Sequence, residues 1–244
     1  MKALILAAGY ATRLYPLTEN QPKPLLTVGK KRIIEYILDK IKDLKEIKEV
    51  FIVTNARFYD RFRVWQNHAS YHQKITLIND GTSSKDDRLG AIGDILFTLH
   101  EAGVHDDLLI VGGDNLFEDD LNTLLQFFQE KKSSVIFLND VKNIEAAKSY
   151  GIVTLDTDHR VVRFVEKPPR PESTLASTLI DILKKEHLLY IQEAMSNSFA
   201  DRTGDFISYL SKKEKIYGLN MKGKWFDIGS IESLRAAERE FLNS

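Results

Sequence analysis

Arg13 and Lys23 lie within one opening stretch, KALILAAGYATRLYPLTENQPKPLL, which holds an apolar run, a small-residue turn and a lysine clamped between Pro22 and Pro24. The segment from Ala7 to Thr12 turns with almost no side-chain bulk, so backbone N–H groups can approach a ligand closely, an arrangement that favours anions. Arg13 and Lys23 add two cations just beyond it. The prolines restrict the lysine's backbone and fix where its side chain points, which is useful if a cation must meet a phosphate. Taken alone, the same residues read equally as a strand-to-loop turn with solvated charges.

Two carboxylates raise a related question. Asp114 follows an apolar run and two glycines in VGGDN, and Asp227 lies between apolar neighbours in WFDIG. A partly buried carboxylate needs a cation or a metal as partner, and an Asp placed where phosphates arrive can be a magnesium ligand. Each can also be read as a helix N-cap, Asp114 for the element that follows it and Asp227 for a helix from Ile231. Lys167, between Glu166 and Pro168, reads on its own as a salt-bridged surface lysine.

Positioning these groups requires a scaffold, and the hydrophobic pattern supplies one. Ala3 to Leu6 reads as a buried parallel strand because its apolar run is continuous rather than alternating, and Val50 to Thr54, Lys74 to Ile78, Leu108 to Val111 and Ser134 to Leu138 read as further strands. Helical segments fall between them, the clearest carrying Ile33, Ile34, Ile37, Leu38, Ile41 and Leu44 along one face. Repeated strand–helix–strand order predicts an α/β fold with a Rossmann-like, mostly parallel central sheet flanked by helices. After Ser134 to Leu138 the pattern changes. Ile152 to Leu155 and Val161 to Val165 read as an antiparallel pair around a turn. Beyond them, helices and one more short strand from Lys215 to Asn220 are expected. The whole reads as a single domain over 1–244 with a small lobe towards its C-terminal half. Ligands in such sheets bind at the carboxyl ends of the strands, which promotes three loops: Ala8 to Lys23, Asn79 to Gly93 and Gly112 to Asn115.

Composition narrows the partners. With 34 Lys and Arg against 35 Asp and Glu, the net charge of −1 gives no reason to expect nucleic acid. There are no cysteines, which excludes disulfides and thiolate metal sites. No apolar run approaches the ~20 residues a membrane helix needs, and a strand beginning at Met1 leaves no room for a signal peptide. A cytoplasmic location is the expectation. The six histidines have no H-E-x-x-H spacing, and no G-x-S-x-G elbow is present. A P-loop mimic from Gly218 to Lys224 has Trp225 where Ser or Thr would bind magnesium. The opening turn also lacks the spaced glycines of a dinucleotide fingerprint.

Together the motifs resemble those of the sugar-1-phosphate nucleotidyltransferases. LAAGYATRLYPLT…QPKPLL is similar to that family's G-x-G-T-R-L-x-P…P-K-P signature, and the likeness continues through VGGDN at 111–115, YGIV at 150–153, VEKP at 165–168 and WFDIG at 225–229. It spans nearly the whole chain, and is greatest to the short thymidylyl- and uridylyltransferase-type members. The resemblance implies that Ala8, Gly9 and the Gly90 region receive the nucleotide base. Asn79, Asp80 and Thr82 offer further donors and acceptors to that base. It implies that Arg13 grips the β- and γ-phosphates, Lys23 the α-phosphate, and that Asp114 and Asp227 hold Mg2+. Gly151 and Glu166 would contact a sugar and Lys167 its phosphate, so that 1–140 mainly serves the nucleotide and 141–244 mainly the sugar phosphate. The implied partners are a nucleoside triphosphate (dTTP or UTP by branch) and a sugar 1-phosphate such as glucose 1-phosphate, with neither nucleic acid nor membrane. Homo-oligomerisation stays open.

The residues leave two other readings standing: a cytidylyltransferase acting on phosphocholine or another alcohol phosphate, and a regulatory protein that binds nucleotide sugars without turnover. The sequence departs from the family pattern at Ala11, in place of the glycine that precedes Thr-Arg-Leu in the signature, and at Leu179 and Asp181, where relatives tend to have Gly and an aromatic residue.

Overall fold

A computed structural model of the chain describes residues 1–196 and 202–242. Its centre is a nine-stranded sheet. The strand Lys2–Leu6 lies inside it, parallel to Glu49–Thr54 on one side and to Leu108–Gly112 on the other. Lys74–Asn79 extends the first side, again in parallel. The three inner strands read as apolar runs because both faces are covered, while Lys74–Asn79, at the sheet edge, keeps polar residues and is mostly half-buried or exposed. Ala3, Ile5, Val50 and Ile52 face one core, shared with the helices Ile33–Ile41, Tyr59–Gln66 and Leu121–Lys131. Leu4, Phe51, Val53 and Ile110 face the other, shared with Gly90–Glu101 and Thr203–Lys213. The expected mostly parallel sheet flanked by helices is therefore present. Among the described residues, no helix is long and apolar enough to cross a membrane.

One central element departs from expectation. Beyond the antiparallel pair, helices and one short strand were expected, yet Leu175–Leu183 is a nine-residue strand. It is inserted antiparallel between Leu108–Gly112 and Val135–Asp140. Its pattern is unreadable locally because a bulge interrupts it: Ser177 pairs with Leu138, but Asp181 pairs with Ile136, so the strand carries extra residues opposite its neighbour. Leu179 sits in that bulge with φ +58°. Its Gly-like backbone explains why a glycine is the ordinary resident at such a position. Asp181 enters the ladder between Ile110 and Ile136, buried, with Oδ1 lacking any hydrogen-bond partner.

The antiparallel pair forms as expected, over Gly151–Leu155 and Val161–Glu166. It joins the main sheet through Ile152 opposite Ala176, so the C-terminal part is continuous with the rest. Tyr217–Asn220 lies parallel to Val135–Asp140. A separate two-stranded ladder, Asn115–Phe117 with Trp225–Asp227, has three residues on each side, too few to show a period in sequence.

Candidate active site

The three loops promoted by the sheet rule meet in one cleft of about 630 Å³, at the carboxyl ends of the parallel strands. Its floor is the opening turn. Asn55 Nδ2 donates to the Ala8 carbonyl at 2.8 Å and Thr18 Oγ1 to the Ala11 carbonyl at 2.8 Å, which holds the turn from both sides. Nothing lies within 4 Å of where a Gly9 Cβ would be, so the backbone there is open to a ligand. Ala11 has φ +47°, the left-handed region that its usual glycine would occupy without strain. The methyl is accommodated, at a backbone cost of about 1 kcal/mol.

Lys23 opens a short 3₁₀ turn, Lys23–Leu25, preceded by Pro22 in extended conformation. Its Nζ is 2.6 Å from Asp114 Oδ2, and its side chain is mostly buried. Asp114 is set by Gly112 and Gly113. A Cβ on Gly113 would lie 2.7 Å from the Leu6 carbonyl oxygen, and one on Gly112 would lie 2.6 Å from Asn115 Nδ2. The chain can pass here only without side chains. Neither capping alternative survives, because Asp120 caps the helix Leu121–Lys131 and Ser230 caps Ile231–Phe241.

The short ladder brings the second carboxylate in. Asp227 pairs with Asn115, Ile228 N–H donates to the Asp114 carbonyl at 3.1 Å, and Trp225 Nε1 donates to Asn115 Oδ1 at 2.6 Å. Burial and the Asp114 charge push the Asp227 carboxyl up to about 6, against the pull of Lys23, Arg13 and Lys167. Two neighbouring carboxylates, one of them already met by Lys23 Nζ, gather negative charge at this point of the cleft wall. Magnesium takes one or two carboxylates and completes its shell with water and phosphate, so this donor set fits it. No larger cluster of His, Asp and Glu suited to a metal occurs among the described residues.

Glu166 and Lys167 close the opposite wall. Glu166 is wedged by glycines: a Cβ on Gly151 would lie 2.9 Å from its Oε2, and one on Gly204 would lie 2.7 Å from the same atom. Its Oε1 is 4.0 Å from Lys167 Nζ and 3.7 Å from Arg202 Nη1. Burial raises the Glu166 carboxyl above its ordinary value, with both cations opposing. Lys167 has φ +46°, and its N–H donates to the Tyr150 carbonyl at 3.0 Å, so its backbone is pinned.

Of the residues singled out from sequence, Ala8, Gly9, Arg13, Lys23, Gly90, Asp114, Glu166 and Lys167 line the cleft. Asp227 does not line it but pairs with Asn115, the neighbour of Asp114, and Gly151 packs against Glu166. Asn79 turns away; its Oδ1 accepts from Gly81 N–H at 3.0 Å. Asp80 lines the cleft in its stead and is joined by Asp94, which sequence reading missed. Asp80 Oδ1 accepts from Thr82 N–H at 2.7 Å and Thr82 Oγ1 at 2.8 Å. Asp94 hydrogen-bonds Asp80, and its burial, with the Asp80 charge adding, raises its carboxyl well above the ordinary carboxylate range. The available signal was a lone acid on the otherwise apolar helix start GAIGDIL. Arg202 and Gly204 were missed as well, because nothing local ties them to a sheet edge.

A family model described as Nucleotidyl transferase matches residues 2–244. The chain is 29% identical over 244 residues to the bifunctional protein GlmU of Methanocaldococcus jannaschii, and 31% identical over 251 residues to that of Methanococcus aeolicus. All of this chain is covered in both cases, but only 55% of each relative, so the chain spans about half the length of these curated proteins. Among solved structures, it resembles a UDP-glucose pyrophosphorylase complexed with UDP-glucose, with a TM-score of 0.84, 21% identity, and coverage of 99% of this chain and 98% of the other. A UTP-bound UGPase from Acinetobacter baumannii gives a TM-score of 0.81 at 20% identity, covering 98% and 92%. At those identities the likeness speaks to the fold.

Proposed function

This chain belongs to the nucleotidyl transferase family, and on that premise we propose that it joins a nucleoside triphosphate to a sugar 1-phosphate, releasing pyrophosphate. An oxygen of the sugar phosphate attacks the α-phosphorus in line; the new P–O bond forms as the bond to the β-phosphate bridge breaks. Such a reaction asks for positioning and charge neutralisation rather than a nucleophilic side chain. The observation that carries the reading is the convergence of Arg13, Lys23, Asp114 and Asp227 beside an open glycine turn.

The opening turn and Gly90 take the nucleotide. Arg13 holds the phosphates that leave, and Lys23 the α-phosphate that stays. Lys167 meets the sugar phosphate, and Glu166 accepts from sugar hydroxyls over Gly151. Residues 1–140 thus mainly serve the nucleotide and 141–244 the sugar phosphate. A magnesium ion held by Asp114 and Asp227 would supply charge stabilisation to the triphosphate. The family branch favours a pyrimidine nucleotide, dTTP or UTP, with glucose 1-phosphate.

Pyrophosphate release measured over a panel of nucleoside triphosphates against sugar 1-phosphates and phosphocholine tests this. The highest efficiency is expected for dTTP or UTP with glucose 1-phosphate. A preference for ATP or GTP overturns the base assignment, preference for phosphocholine overturns the sugar, and no release with any pair overturns catalysis.

A further inference from the structure

A second concavity, of about 540 Å³, lies on another part of the molecule and shares no lining residue with the cleft. Seven Lys and Arg side chains line it against one carboxylate, Glu214, in a chain whose net charge is −1. Three of the seven are engaged: Lys131 with Glu130, Lys184 with Glu186 and Lys213 with Glu193. Lys132, Arg160, Lys212 and Lys215 have no carboxylate within 4.0 Å among the described residues. Glu214 is itself occupied, accepting from Tyr190 OH at 2.8 Å and facing His187 Nε2 at 3.9 Å.

The plainest alternative is that Lys131, Lys132, Lys212 and Lys213 merely complement two helix C-termini. A helix end carries about half a negative charge, so the two together offset one of seven. Arg160, Lys184 and Lys215 come from outside those helices and need another reason. The walls are also built rather than loose. Val161 N–H donates to the Ile216 carbonyl at 2.9 Å, Tyr217 N–H donates to the Ser134 carbonyl at 3.1 Å, and Ser133 Oγ donates to the Lys215 carbonyl. At the base, Ser134 is fully buried and His187 is 6% exposed. Ser134 Oγ accepts from Lys184 N–H at 2.9 Å and shares a hydrogen bond with His187 Nδ1 at 2.7 Å, while His187 Nε2 lies 3.9 Å from Glu214 Oε2.

Like charges gathered around a pinned concavity are relieved by an anion carrying several charges in a small volume. We propose that this basic cavity is a binding site for a compact polyphosphate, either free or as the tail of a nucleotide. Its size falls within the range of small-molecule sites. The inference does not rest on the reaction proposed for the cleft.

Calorimetric titration of the full chain with inorganic tripolyphosphate tests it, in an Arg13→Ala/Lys23→Ala background that weakens phosphate binding in the cleft. About 0.15 M salt should be used, where exposed charges are screened beyond ~8 Å. One saturable site is expected. Lys212→Ala and Lys215→Ala should each weaken it by about tenfold, the loss typical of a hydrogen bond to a charged group. Arg160→Glu should abolish it, with an unchanged melting temperature confirming that each variant is folded. A parallel titration with UTP separates the sources: tighter binding than tripolyphosphate assigns a nucleotide, and equal binding assigns the polyphosphate alone. Absence of saturable binding, or an affinity unmoved by all three substitutions in folded protein, overturns the proposal.

Discussion

Replacing Asp181 by leucine should stabilise this protein, and more so as the pH rises. The two side chains have the same branched shape, so Asp181→Leu exchanges two carboxyl oxygens for methyl groups in a ladder position flanked by Ile110 and Ile136. Burial alone pushes the Asp181 carboxyl from its ordinary 3.8 up to about 8. Between those values the folded chain keeps a proton that the unfolded chain has released. Stability therefore falls as pH rises through this window, by about 1.4 kcal/mol per pH unit for one such group. From pH ~5 to ~7.5 the cost grows by about 3 kcal/mol on that slope. The advantage of Leu over Asp should grow by the same amount, or by about 6–12 °C in melting temperature for a chain of this size. Comparing each variant with the parent at both pH values cancels every other titrating group. Asp181→Asn supplies a second reading, since it keeps the shape and the polarity but removes the titration. A gap between parent and variants that does not change with pH would refute the reasoning, as would a loss of stability at the higher pH in both. Turnover should be followed alongside, because Leu179 in the same strand lines the cleft.

Other outcomes follow from the cleft. Asp114→Asn and Asp227→Asn should each lower kcat by about 10²-fold or more, while the double variant loses much less than the product of the two, as expected for neighbours acting through one ion; normal turnover in either single variant would remove the shared-metal assignment. Lys167→Ala should weaken use of the sugar phosphate far more than nucleotide binding, and equal losses for both in a binding titration would take it out of that role. Ala11→Gly should raise stability by about 1 kcal/mol by relieving its left-handed backbone, read as a higher denaturant midpoint; a lower midpoint would mean the turn carries no strain.

Much of this molecule is legible in one dimension. Strands such as Lys2–Leu6 and Leu108–Gly112 announce themselves because burial on both faces demands an unbroken apolar run. The Ile33–Ile41 helix shows itself by spacing alone. Arg13, Lys23 and Asp114 could be placed at one sheet edge because parallel strands all end on the same side. The family signature is likewise a local string, carried by turns whose small residues are needed wherever a ligand approaches the backbone.

What the tertiary structure decided depends on pairing between distant segments, which leaves no mark on local periodicity. Asp227 reaches Asp114 only through a ladder of three residues a side, stabilised by Trp225 on Asn115. The strand Leu175–Leu183 is central yet unreadable, because its bulge breaks the alternation and both its faces are covered. Asn79 and Asp80 are adjacent and both polar, and only the direction of the strand's last residues sends Asp80 into the cleft to meet Asp94, while Asn79 closes a turn on Gly81. In each case the deciding energy is a contact between residues far apart in the chain, which exists only once the sheet has brought them together.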